Sequence, residues 1–102
     1  MLEFTLDLEE ETKNKFKKIL DQYSDKEIFA KNIIEYETSQ LKKGIINIQL
    51  DLKSFEKKYG LRSKDFYQKF KSGEFGDDED YIIWVGIYEM LGQNQKRLAE
   101  LE

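Results

Sequence analysis

Two apolar seams, joined by a glycine-punctuated stretch, constrain this chain more than any other feature. Leu41, Ile45, Ile48, Leu52, Phe55 and Tyr59 follow one another at 4-3-4-3-4 spacing. Tyr81, Trp84, Tyr88, Leu91, Gln95 and Leu98 repeat the same 3-4 rhythm. Side chains so spaced share one face of a helix and suit a paired-helix seam. Between the seams, Gly60 fits the left-handed position past a helix terminus. Ser63 is placed to cap a short helix bearing Phe66, Tyr67 and Phe70, and Gly73 stops it. Phe75 and Gly76 lead to Asp77-Asp78-Glu79-Asp80, an acidic run that suits the start of a last helix over 78–101. The expected product is an antiparallel helical hairpin within residues 44–102, with a polar tail that frays. Pairing within one chain and pairing between chains both satisfy the pattern.

Residues 46–52 carry a competing signal. Ile46, Ile48, Leu50 and Leu52 alternate with Asn47, Gln49 and Asp51, as in a strand. The heptad is longer and continues into Ser54–Gly60, so helix is the preferred reading. Gly44 costs about 1 kcal/mol relative to Ala in a helix interior. It is read as a kink between two modules, residues 1–43 and 44–102.

Composition narrows the function. A chain of 102 residues makes one small domain or two mini-domains, and oligomerisation would help so small a core. Charged residues make up 37% and apolar residues 39%, which fits long helices with narrow apolar stripes. There is no Pro, so Gly must supply the breaks. There is no Cys and no His, which excludes Ser-His and Cys-His nucleophiles and ordinary zinc chemistry. No cofactor is expected, and an enzyme is disfavoured. The net charge of −4 gives no whole-chain basic footprint for nucleic acid. No apolar run reaches membrane-spanning length and no signal-peptide pattern opens the chain, so a cytoplasmic protein is expected.

The first forty residues read as strand, helix, helix. Leu2, Phe4, Leu6 and Leu8 alternate with Glu3, Thr5 and Asp7, which predicts a strand. With no second clear strand in the chain, a copy of itself is the simplest partner. Asp7 is placed to cap a helix over 9–23, with Phe16, Ile19, Leu20 and Tyr23 on one face. Ser24-Asp25-Lys26-Glu27 matches a capping box that opens a second helix, whose apolar residues include Ile28, Phe29, Ile33, Ile34 and Tyr36. This order resembles the ribbon-helix-helix family over residues 1–43. The resemblance implies a mainly α fold with one N-terminal β-strand paired across a homodimer. Leu2, Phe4, Leu6, Leu8, Phe29 and Ile33 would then dimerise. It also implies base contacts from the outward strand positions, here Glu3, Thr5 and Asp7. Lys13, Lys15, Lys17 and Lys18 are candidate phosphate contacts, although a solvated helix face is the preferred reading of those lysines. Glu3 and Asp7 on the outward face would repel phosphate, so dimerisation is the better supported half of that role.

The last helix is apolar beyond its seam, with Ile82, Ile83, Val85, Ile87 and Met90, so a second surface must cover part of it. A second protomer and a different protein are both candidates. Phe66, Tyr67, Phe70, Phe75, Tyr81 and Trp84 are candidate binding anchors, although each also suits plain core. The acids at 74 and 77–80 read first as helix capping, next as a mimic for a basic cleft, and least well as a metal site. Phe55-Glu56-Lys57-Lys58-Tyr59-Gly60, then Ser63 and Phe66, then Gly73 to Tyr81 and Trp84 resembles the C-terminal module of small prokaryotic, especially archaeal, antitoxins of toxin–antitoxin operons. It covers about residues 50–92. The resemblance implies a non-enzymatic protein whose C-terminal helices silence a cognate toxin, commonly an RNase or a nucleotidyltransferase-like protein. In that role Asp77, Asp78 and Asp80 would complement a basic site. The alternatives are a DNA-binding autorepressor and a purely structural coiled-coil dimer.

Overall fold

The computed structural model describes residues 6–102, which form four helices. These are α1 (Glu10–Asp21), α2 (Lys26–Tyr59), α3 (Ser63–Lys71) and α4 (Glu79–Leu101). There is no strand among the described residues. Leu6, Asp7 and Leu8 of the expected strand are coil, and Leu2, Glu3, Phe4 and Thr5 lie outside the described residues. The described residues therefore correct the fold to mainly α without a strand, and Leu6–Leu8 do not form the ribbon expected of a ribbon-helix-helix protein. The physical reason is that alternation places side chains but supplies no ladder. A strand's backbone groups need a neighbouring strand, and the described residues offer none.

The chain forms two compact units, Met1–Glu35 and Tyr36–Glu102. In the first, Glu9 stands at the N-cap of α1 without a side-chain bond, so Asp7 is not the cap. Glu10 and Glu11 open the helix and Lys18 sits in its last turn, as the helix dipole favours. The turn to α2 is fastened by Lys26, whose Nζ donates to the carbonyls of Leu20 (2.7 Å) and Tyr23 (2.8 Å). Asp25, one residue later than expected, caps α2 by accepting the Glu27 N–H at 2.9 Å. Phe29 meets the rings of Phe16 and Tyr23 edge-on, with centroids 5.8 and 5.0 Å away. No described residue of this unit is buried.

The second unit begins inside α2, ahead of Gly44. The helix runs through Gly44 without a break, and residues 45–59 are helix rather than strand. A methyl group at Gly44 would sit 3.8 Å from the Asn94 amide, an ordinary contact that marks where α4 passes. Phe55 stacks beside Trp84 and Tyr59 touches Tyr81, so α2 and α4 run antiparallel as the seams predict. Both joints of the hairpin end on a left-handed glycine. Gly60 (φ 64°) follows α2, where the Leu61 N–H reaches back to the Glu56 carbonyl at 3.3 Å. Gly73 (φ 84°) follows α3, where the Glu74 N–H reaches the Lys69 carbonyl at 3.0 Å.

Ile48, Leu52, Phe66, Trp84 and Val85 form the core, one contribution from each side of the hairpin plus α3. Phe66 lies flat on Trp84, with centroids 3.8 Å apart and planes 4° from parallel. Ser63 is the first residue of α3 rather than its cap. Its N–H donates to Glu56 Oε2 (2.7 Å), and its Oγ accepts the Trp84 indole N–H (2.8 Å). A carboxylate from α2 thus satisfies the N-terminus of α3, where negative charge is favourable.

Candidate protein interface

The aromatic residues expected to be anchors divide by depth. Phe66 and Trp84 are 0% exposed and constitute the centre of the second unit, so neither offers surface to another molecule. The indole N–H is spent on Ser63, and no buried side-chain polar atom among the described residues lacks a partner. Tyr67, Phe70, Phe75 and Tyr81 are half-buried against that core, each showing an edge. Phe75 meets both Phe66 and Tyr81 edge-on, at 5.0 and 5.1 Å, which holds the loop after α3 against the hairpin. That loop then presents Asp77 and Asp78 as exposed side chains, with Asp78 at the N-cap of α4.

Asp80 behaves differently from its acidic neighbours. Its Oδ2 accepts from Lys58 Nζ at 2.6 Å and from the Tyr59 hydroxyl. These bonds fasten the end of α2 to the start of α4. The hydrogen bond from Lys58, and then that from Tyr59, hold the Asp80 carboxyl below the ordinary carboxylate range. The bonds they donate to Asp80 raise the Lys58 ammonium and the Tyr59 phenol above their usual values. Asp80 is therefore a latch within the hairpin, with less charge to offer outward than Asp77 or Asp78. Among the described residues, no three acidic side chains gather as they would around a metal ion.

The two flanks of the hairpin are unequal. On one, α3 covers α4: Tyr67 packs on Tyr88 at 4.9 Å, and Lys71 reaches Glu89 at 3.8 Å. On the other, a groove of about 420 Å³ is left open, lined by Asp51, Ser54, Phe55, Lys58, Asp80, Ile83 and Ile87. Periodicity announced too much apolar surface on α4, but not that Ile83 and Ile87 would sit opposite Asp51 and Lys58. Glu56 carried no signal in the sequence, since its partner Ser63 belongs to another helix.

In the first unit, the dimerisation candidates also part company. Leu6 and Leu8 are exposed coil, and Leu2 and Phe4 lie outside the described residues. Phe29 is occupied with Phe16 and Tyr23, whereas Ile33 is exposed. Of the DNA-contact candidates, Thr5 lies outside the described residues. Lys13 and Lys15 are exposed on α1, and Lys15 pairs with Glu11 at 3.1 Å. No helix among the described residues is long and apolar enough to cross a membrane. No protein-family model matches this chain, and no curated protein or solved structure is similar enough to match it.

Proposed function

We propose that the chain is an antitoxin-like binding protein, which acts by covering a cognate protein toxin and has no catalytic step of its own. The observation that carries this reading is the unfilled surface of the first unit. Ile19, Ile28, Ile33 and Ile34 are between 44% and 51% exposed there, in a unit that buries none of its described residues. A helix as short as α1, twelve residues, draws most of its stability from what it packs against. The exposed isoleucines of α2 beside it extend the same unfilled surface, which suits a partner. Asp77 and Asp78, exposed on the loop that Phe75 holds against the hairpin, suit a basic groove of the kind an RNA-handling toxin presents. The ribbon on which a DNA-reading role would rest is not part of this reading.

Co-expression of the tagged full chain with the product of its neighbouring gene tests the proposal. A stoichiometric complex that suppresses the neighbour's toxicity is expected. Ile28→Glu with Ile33→Glu should weaken that complex at least tenfold, and Asp77→Lys with Asp78→Lys should do the same. Absence of any complex, with both proteins folded, refutes the reading.

A further inference from the structure

We infer that the open flank of the α2–α4 hairpin is self-complementary and pairs with the same flank of a second copy of this chain. The inference does not depend on the toxin reading, and its test uses this chain alone.

The placement of charge in the groove carries the argument. Asp51 and Lys58 line it from α2, two helical turns apart on one stripe, with Ser54 between them. Asp51 takes no ion pair among the described residues. Lys58 is bonded to Asp80, yet its side chain is 63% exposed, and an ammonium has three donors. An antiparallel pairing about a two-fold axis sets residue i against j and j against i. With the axis level with Ser54 and Phe55, Asp51 of each copy faces Lys58 of the other. Each Lys58 ammonium then bridges two carboxylates, its own Asp80 and Asp51 of the other copy, and Asp51 gains the cation it lacks among the described residues of its own chain.

The apolar side of the groove fits the same axis. Ile83 and Ile87 are one turn apart on α4, and their midpoint is Val85. Phe55 lies level with Trp84, the residue beside it, because their rings stack at 5.5 Å. One axis therefore sets Asp51 on Lys58 and Ile83 on Ile87 together, and the small Ser54 at its centre allows the two α2 helices to approach. A different protein docking here would have no reason to require both pairs to share one centre. The opposite flank is taken by α3, so two hairpins joined this way make a four-helix layer pair with α3 outside.

The chain has no cysteine, which makes the axis directly testable. Light scattering of the full chain should give twice its 12.2 kDa mass. Under mild oxidation Ser54→Cys should cross-link nearly completely, and at least tenfold faster than Ile46→Cys, which lies on α2 outside the groove. Ile83→Glu should raise the dimer dissociation constant at least tenfold while helical circular dichroism is unchanged, because Ile83 is 43% exposed. Asp51→Lys should weaken the dimer by a similar factor. A monomeric native chain overturns the inference. So does a dimer in which Ser54→Cys cross-links no faster than Ile46→Cys, whatever the fate of Ile83→Glu.

Discussion

The two units are built from similar residues and reach different ends. Each has amphipathic helices joined by a short turn, and each has a cluster of aromatic rings. In the first, Phe29 touches Phe16 and Tyr23 only edge-on, and water still reaches all three. In the second, α3 lies across the hairpin, and Phe66 and Trp84 are removed from water altogether. Two helices alone cannot enclose a side chain; a third element can. The difference lies in the nine residues of α3 more than in the apolar content of the long helices.

The largest expected effect tests the enclosed end of that contrast. Trp84→Ala should cost about 3–5 kcal/mol, the range for removing a fully packed large aromatic residue. It empties the place between Phe66 and Phe55, and a urea titration followed by circular dichroism should show the second unit unfolding far earlier. Ser63→Ala comes next. It strands the buried indole N–H without an acceptor, for about 1–3 kcal/mol in the same titration. In the first unit, Phe29→Ala should cost about 1 kcal/mol, since only edge contacts in a wet cluster are lost. Amide exchange should then quicken across α1 and leave residues 48–90 unchanged. Protection lost throughout both units would show that they are not energetically separate.

The smallest effect concerns the latch. The folded carboxyl of Asp80 is depressed below its usual 3.8. Its contribution is therefore present above that value and lost as pH falls through the depressed one. The folded pKa of Lys58 is raised above 10.5, so that contribution is present below 10.5 and lost at higher pH. Between these limits it is flat. Asp80→Asn should thus cause a small loss of stability that is constant from about pH 5 to 9, with the gap to the native chain closing in acid. A gap that grew in acid would contradict the latch.

The sequence made the hairpin readable because heptad spacing over a dozen residues leaves few alternatives. Gly60 and Gly73 were equally plain, since the backbone past each helix is left-handed there. The N-terminal strand was misread for the converse reason. Leu2 to Leu8 alternate correctly, but alternation is one half of a strand and the pairing ladder is the other. The anchors were partly misread because an aromatic residue at a seam position has the same pattern whether it faces a partner or its own fold. Only α3, whose docking is a long-range event, decides that Phe66 and Trp84 go inside. The Glu56–Ser63–Trp84 connection was invisible, since it joins three helices that no local rule links.

Trp84 is the only tryptophan in the chain. Its indole is sealed between rings in the second unit, while the first unit contributes only phenylalanine and tyrosine to the ultraviolet spectrum. The molecule therefore carries its own optical label, placed in one of its two halves. Fluorescence excited at long wavelength sees the hairpin and is blind to α1. A change in helical signal without a red shift of that emission is thus assigned to the first unit, with no dye attached.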